Sequence, residues 1–149
     1  MTTLLRTTSD HPAFQSLIRA LDKELQSRYN EEQAVYDQYN KIENNRNIVV
    51  ALNNGSAVGC GCFKKFDASA VEIKRMYVLP QYRWQHIAEG ILNELESWAK
   101  EMGFTAAVLE TGIKQPEAIF LCQRCGYSVI DNDGLYTGTE NSVCIKKDF

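Results

Sequence analysis

The stretch of sequence that decides the fold is residues 71–88, which read VEIKRMYVLPQYRWQHIA. Their first eight residues are mostly apolar or β-branched and predict a strand that ends before Pro80. A long amphipathic helix is expected over residues 87–102, because apolar side chains recur there at helical spacing and Gly103 follows as a stop signal. These side chains belong to Ile87, Ile91, Leu95, Trp98 and Met102. A strand that enters a helix through a short loop leaves unpaired N–H groups at the helix N-terminus, where they favour phosphate.

The segments on either side alternate between strand and helix patterns. Asn54-Gly55 stands between two β-branched segments and predicts a hairpin. The further strands, including those of the hairpin, are expected at residues 4–6, 47–52, 57–63, 105–109, 127–130 and 142–146, and the further helices at residues 14–25 and 116–124. The polar segment 31–46 predicts either another helix or a loop over a site.

This order of elements predicts an α/β (α+β) fold. We expect a mixed, mostly antiparallel sheet of six to seven strands, flanked by helices on both faces. The sequence shows no internal repeat, low-complexity tract or linker, so one domain over residues 1–149 is the economical interpretation. A chain of 149 residues can bury roughly two-thirds of its unfolded surface.

Composition limits the classes of partner. The formal net charge of −3 gives no global reason to bind nucleic acid or an anionic membrane, so any anionic ligand must be held by a local site. Five cysteines without a repeating framework fit a reducing compartment. The N-terminal residues lack the pattern of a signal peptide, and no apolar run approaches the length of a membrane span. We therefore expect a cytoplasmic protein with no nucleic-acid or membrane partner.

Several segments, taken together, resemble one enzyme superfamily. Residues 72–83 resemble the fourth strand and pyrophosphate loop of the GNAT acetyltransferases, residues 109–112 their fifth strand, and residues 115–127 their next helix with its Gly-aromatic end. The family's loop pattern is Arg or Gln, two residues, Gly, one residue, then Gly or Ala. The resemblance covers about residues 47–149 and is densest over residues 71–127. The loop alone is a weak signal, but this succession of segments is specific.

The resemblance implies a function and a cosubstrate site. It implies transfer of an acetyl group from acetyl-CoA, without a metal, to a primary amine of a small molecule, amino acid or peptide by direct attack in a ternary complex. In the family, the gap between the fourth and fifth strands admits the pantetheine arm, and a strand N–H polarises the thioester carbonyl, a contribution of about 3–4 kcal/mol. The implied cofactor-binding residues are Met76, Tyr77, Val78, Arg83, Trp84, Gln85, His86, Ile87, Ala88, Glu89 and Gln115. Relatives often pair, so either a monomer or a homodimer is expected.

Two loop positions depart from the family's pattern. His86 stands where the first loop glycine belongs, and Trp84 stands where another glycine is common, whereas Ala88 fits the pattern. A side chain at a glycine position costs free energy if the local φ is positive. We therefore expect coenzyme A to bind, but more weakly than is usual in the family.

Two candidate catalytic residues, Cys122 and the favoured base Glu72, are carried over from the same resemblance, while Tyr136 and Glu110 come from their places in the late polar loop and at the end of the fifth strand. Cys122 occupies the position of the tyrosine that protonates the leaving thiolate; a thiol could act as the acid, but a structural cysteine is the alternative. Tyr136 is a second candidate acid. Glu72 and Glu110 are candidate general bases, because a buried carboxylate with a raised pKa can accept the proton of an amine.

Other functions stay open at this point. The departures are compatible with a family relative that binds coenzyme A without catalysis. Cys60, Cys62, Cys122 and Cys125 could form a four-thiolate zinc site, and the pair Cys122 and Cys125 could form a redox motif. Buried cysteines on a strand and a helix are the simpler interpretation. The basic cluster of Lys74, Arg75 and Arg83 is either solvated surface or a phosphate contact.

Overall fold

A computed structural model describes residues 2–29, 45–112, 116–130 and 142–149. Within these residues, seven strands form one sheet in the order β1-β2-β3-β4-β5-β7-β6. The strands are β1 (Thr2–Thr7), β2 (Ile48–Asn53), β3 (Ser56–Lys65), β4 (Ala70–Val78), β5 (Ala106–Gly112), β6 (Ser128–Ile130) and β7 (Ser142–Asp148), and the helices are α1 (Pro12–Tyr29), α2 (Ile87–Glu101) and α3 (Pro116–Arg124). The pairing of β4 with β5 is parallel, and the other recorded pairings are antiparallel. The expected fold is therefore confirmed. Most of the polar segment 31–46, for which a helix or a loop was expected, lies outside the described residues.

The sheet has a hydrophobic core on each face. On one face, Ile91, Leu92 and Leu95 of α2 pack among buried side chains such as Val49 and Ile73. On the other face, the apolar stripe of α1 packs against β2, β3 and β4. This arrangement follows from the two periodicities, because a strand presents alternate residues to opposite faces while a helix presents one stripe.

The end of α2 differs from its sequence-based description. Met102 follows the helix and is 53% exposed, so its assignment to the apolar stripe is wrong. Its backbone N–H donates to the carbonyl oxygens of Trp98 and Ala99, and Gly103 then adopts φ +95°. The tight end of the helix therefore turns Met102 away from the core.

A buried polar contact fixes α2 to β7 and to the end of α3, on the same face of the sheet. Glu96, in the middle of α2, is only 5% exposed. Its carboxylate accepts hydrogen bonds from the Tyr127 hydroxyl at 3.0 Å and from Lys147 Nζ at 2.9 Å. Burial and the adjacent Glu96 carboxylate raise the pKa of Tyr127 above its ordinary value. The three residues link α2, the turn after α3 and β7.

Among the described helices, none combines the length and the apolar character that crossing a lipid bilayer requires.

Candidate functional site

The sheet opens between its two parallel strands. The recorded β4–β5 pairing begins at Ala70 and Ala106 and ends at Ile73 and Leu109, although β4 continues to Val78. In the described part of the sheet, the last five residues of β4 therefore have no strand partner on the β5 side. A backbone edge of this kind can hydrogen-bond an extended ligand as an added strand does.

A bulge in β4 lies next to this gap. Cys60 pairs with Tyr77 while Cys62 pairs with Lys74, so β4 carries one extra residue at Arg75 and Met76. Arg75 adopts φ +58°, the left-handed conformation found at the first residue of a G1 bulge. The thiol groups of Cys60 and Cys62 donate to the carbonyl oxygens of Arg75 and Lys74 at 3.5 and 3.4 Å. Both cysteines are buried and support the bulge, which agrees with the simpler interpretation of this pair.

The loop that follows β4 presents a row of backbone N–H groups. Within the part of the chain that the structure describes, no acceptor bonds the N–H groups of residues 84–89, and the first α2 bond runs from Gly90 N–H to His86 O. Trp84 adopts φ +69° and His86 adopts φ +62°, both in the left-handed region. The two positions where the family favours glycine therefore have the backbone geometry that glycine adopts at no steric cost. Unpaired amides at a helix N-terminus favour an anion, so this row is a candidate anion site.

The Arg83 guanidinium is occupied by contacts within the protein. Its Nε donates to Val78 O at 2.9 Å, its Nη2 contacts both carboxylate oxygens of Glu24 at 3.0 and 3.2 Å, and its charge lies 5.5 Å from the centroid of the Tyr77 ring. Arg83 therefore holds the loop against α1 and β4. The anion-binding capacity of the loop comes mainly from its amides.

The other two members of the basic cluster are also held within the protein. Lys74 is buried, and the nearly buried Arg75 bonds Asp22 Oδ1 at 2.5 Å. Burial lowers the pKa of Lys74, while the neighbouring Glu72 carboxylate opposes that shift. The interpretation of this cluster as solvated surface is wrong for these two residues.

A cavity of about 240 Å³ lies where the gap, the loop and three helices meet. Of the residues predicted from the sequence, it is lined by Met76, Tyr77, Val78, Arg83, Trp84, His86, Ile87, Ala88 and Glu89. Sequence reasoning missed the lining residues Leu21, Glu24, Tyr82, Phe120, Leu121 and Arg124. A sequence signal existed for Phe120 and Arg124, since they are one turn apart on a helix, but nothing in the pattern showed that this face borders the loop.

The charges at the rim of the cavity are paired across two helices. Glu89, in the first turn of α2, forms a close ion pair with Arg124 of α3. His86 Nδ1 lies 3.4 Å from the other carboxylate oxygen of Glu89. Arg124 also lies over the Phe120 ring, 5.9 Å from its centroid.

The two candidate bases lie on the α1 face of the sheet, outside the cavity lining. Glu72 pairs with Val108, and Glu110 follows Val108 by two residues on β5, so the two carboxylates share this face on neighbouring strands. Glu72 is only 2% exposed, and its Oε1 has no hydrogen-bond partner among the described residues. A buried carboxylate oxygen without a donor is unusual, and a water molecule, an ion or a catalytic role commonly accounts for one.

Cys122 does not join the cavity. Its side chain is buried in the core cluster on the α2 face, whereas Phe120, Leu121 and Arg124 of the same helix line the cavity. Burial raises the pKa of Cys122 to about 12, with smaller contributions from Cys125 and Glu96. A thiol of that pKa protonates a leaving thiolate of ordinary pKa, about 8.5, only with difficulty. The geometry favours the structural alternative for this residue.

Two further predicted site residues, Gln115 and Tyr136, lie outside the described residues.

Among the described residues, no three His, Cys, Asp or Glu side chains are grouped as metal ligands.

The comparison with family models decides the identity of the fold. The model described as the acetyltransferase (GNAT) family matches residues 14–127. The chain belongs to the acetyltransferase (GNAT) family. It is therefore an N-acetyltransferase of the acyl-CoA-dependent class, as the resemblance implied, and the family acts on amine acceptors.

Individual GNAT relatives agree with this assignment. The IAA acetyltransferase of Azospirillum brasilense is 30% identical over 128 residues, which cover 85% of this chain and 84% of that protein. A Klebsiella pneumoniae protein assigned as an acyl-CoA N-acyltransferase is 29% identical, with a TM-score of 0.83. The match covers 99% of this chain and 97% of the Klebsiella chain. A GNAT family acetyltransferase from Elizabethkingia anophelis, solved with acetyl-CoA bound, shares the fold with a TM-score of 0.73 at 17% identity, covering 99% of this chain and 98% of its own.

Proposed function

We propose that this GNAT enzyme transfers an acetyl group from acetyl-CoA to a primary amine of a small molecule, amino acid or peptide, by direct attack in a ternary complex. The observation that carries the proposal is the row of six loop N–H groups, at residues 84–89, beside the open edge of β4. Together they offer donors for a diphosphate and a slot for the extended arm that is attached to it.

Each part of the site has a separate role in this proposal. The loop amides hold the diphosphate of the cosubstrate, and the edge of β4 from Met76 to Val78 hydrogen-bonds the pantetheine arm. When bound, acetyl-CoA supplies a thioester carbonyl that an amine can attack. An N–H group of this strand segment donates to the carbonyl oxygen, where negative charge develops, and stabilises the transition state by about 3–4 kcal/mol.

Glu72 is our choice for the proton acceptor. The acceptor enters as an ammonium ion and must lose a proton before its nitrogen can form the new N–C bond. The C–S bond then breaks, and the coenzyme A thiolate leaves and takes up the second proton that the acetylated nitrogen releases. Glu72 has a buried carboxylate oxygen without a donor among the described residues, so it can accept that proton directly or through a water molecule. Glu110 shares its sheet face and stays a second candidate.

The test is a free-thiol assay with acetyl-CoA and a panel of amines. Release of coenzyme A in proportion to the acceptor is expected, and at least one of Glu72→Gln and Glu110→Gln should reduce turnover about a hundredfold or more. Glu101→Gln is the matched control, because Glu101 is an exposed glutamate that bonds Arg6 on the surface of α2. If the enzyme binds acetyl-CoA but no acceptor increases thiol release, amine acetylation is wrong. If neither variant changes the rate, proton transfer belongs to another group.

A further inference from the structure

Trp84 is the most exposed of the large apolar side chains in the described part of the chain. Its side chain is 89% exposed although it lines the cavity beside the loop amides. Among the described residues, none makes a hydrogen bond, ion pair or ring contact with it. The packing of the described protein therefore gives no reason for a tryptophan at this position.

The backbone at this position also disfavours tryptophan. Trp84 adopts φ +69°, which costs a residue with a bulky side chain free energy that glycine avoids. A side chain that is strained and exposed, with no such interaction among the described residues, is expected to destabilise the folded protein relative to glycine. Its presence at the rim of a ligand site suggests that its partner is the ligand.

The chemistry of the cosubstrate identifies that partner. Coenzyme A has one flat aromatic group, its adenine, at the end of the molecule opposite the thiol. If the pantetheine arm runs along β4 and the diphosphate meets the loop amides, the adenosine part must extend outward past the rim. Trp84 lies at the start of the amide row, and Phe120, which is 59% exposed, lies across the cavity on α3. The guanidinium of Arg124 lies over the Phe120 ring and is already ion-paired with Glu89.

We propose that Trp84 stacks on the adenine of coenzyme A and makes this GNAT enzyme depend on the nucleotide end of its cosubstrate. This inference rests on the proposed function. An aromatic side chain at the position of the loop glycine strains the backbone, but it provides a surface on which a base can stack. Stacking of one base on an aromatic side chain contributes about 1–3 kcal/mol, which corresponds to a change in Kd of roughly 5- to 150-fold.

The experiment compares two ligands on the full chain and its variants. Calorimetric titrations measure the Kd of coenzyme A and of 4′-phosphopantetheine, which lacks the adenosine part. Trp84→Gly should weaken coenzyme A binding about 5- to 150-fold and leave 4′-phosphopantetheine binding unchanged, whereas Trp84→Phe should retain most of the affinity. Because glycine relieves the left-handed strain, the thermal midpoint of Trp84→Gly should not fall, so misfolding cannot explain the lost affinity.

Fluorescence gives a second readout. The chain has two tryptophans, and Trp98 is half-buried with its ring 5.8 Å from the ring centroid of Phe63. Coenzyme A should therefore quench the emission of exposed Trp84 in the parent protein, 4′-phosphopantetheine should not, and Trp84→Phe should abolish the quenching.

One result would overturn the inference while leaving the proposed function intact, namely unchanged coenzyme A affinity in Trp84→Gly. If Phe120→Ala lost affinity in the same series, the base would lie on α3 instead. Failure of the parent protein to bind either ligand would instead end the proposed function, and this inference with it.

Discussion

At the scale of single residues, the left-handed backbone at His86 should favour glycine over histidine. Its φ of +62° predicts that His86→Gly removes strain and raises the free energy of unfolding by about 0.5 kcal/mol, after subtraction of the larger chain entropy of glycine. His86→Ala is the matched control, because it removes the same ring and keeps a Cβ in the left-handed region. Urea unfolding of the three proteins measures the difference. Equal stability of the glycine and alanine variants would show that the strain is no larger than the chain-entropy cost of glycine and would contradict the prediction.

The sequence located this loop but could not establish its geometry. The unusual side chains at Trp84 and His86 were visible, and their cost depended on a φ that only the structure provides. Likewise, the sequence showed Arg83 but not that Glu24 and Val78 O occupy its guanidinium. The contacts of a side chain depend on residues distant in sequence, which local patterns do not encode.

At the scale of elements, the packing of β3 against α2 gives a pair of opposite predictions. A Cβ on Gly61 would lie 2.5 Å from Met76 Sδ and 3.0 Å from atoms of Ile91 and Leu95, so Gly61→Ala should lower the free energy of unfolding by about 1–3 kcal/mol. A displaced Met76 should also raise the KM for acetyl-CoA, since Met76 lines the cavity.

Gly90 provides the opposite case on α2. The nearest atom to a Cβ there is Leu4 Cδ1 at 3.9 Å, so Gly90→Ala should raise the free energy of unfolding by about 0.5–1 kcal/mol. Thermal and urea unfolding measure both variants. A stabilised Gly61→Ala protein, or a destabilised Gly90→Ala protein, would contradict the packing described for this helix.

The elements themselves were largely predictable, whereas one of their main connections was not. Periodicity identified α2, and Asn54-Gly55 identified the hairpin, where these residues adopt φ +52° and +87°. Glu96 escaped detection because a glutamate in a helix is usually solvated, and its partners Tyr127 and Lys147 come from elements 31 and 51 residues away. Only tertiary structure brings these three groups together.

The Glu96 contact should therefore be a major source of stability. Glu96→Ala leaves the half-buried Lys147 and the buried Tyr127 hydroxyl without their acceptor and should lower the free energy of unfolding by about 3 kcal/mol. Glu101→Ala on the exposed surface of the same helix is the control and should lower the free energy of unfolding far less, because solvent screens an exposed ion pair. If urea unfolding gave similar losses for the two variants, the buried Glu96 carboxylate would contribute no more to stability than an exposed one.

At the scale of the whole molecule, the two cores hold cysteines as neutral, buried groups. Cys60 and Cys62 lie on the α1 side of the sheet and Cys122 on the α2 side, so thiols contribute to both packed layers. Burial raises the pKa of all three, to about 12 for Cys62 and Cys122. In the unfolded chain, each thiol would ionise with a pKa near 8.5.

This difference predicts a loss of stability in mild alkali. Because the folded pKa is the higher one, the contribution of each thiol is fully present below about pH 8.5 and decreases as the pH rises from there toward 12. From pH 8.5 to 9.5, the free energy of unfolding should fall by about 1 kcal/mol per thiol, or about 3 kcal/mol for the three. Urea unfolding under reducing conditions at pH 7.5, 8.5 and 9.5 measures the decline. A variant with Cys60, Cys62 and Cys122 changed to alanine should show a much shallower slope whatever its absolute stability, and an equal slope in the two proteins would mean that other groups cause the pH dependence.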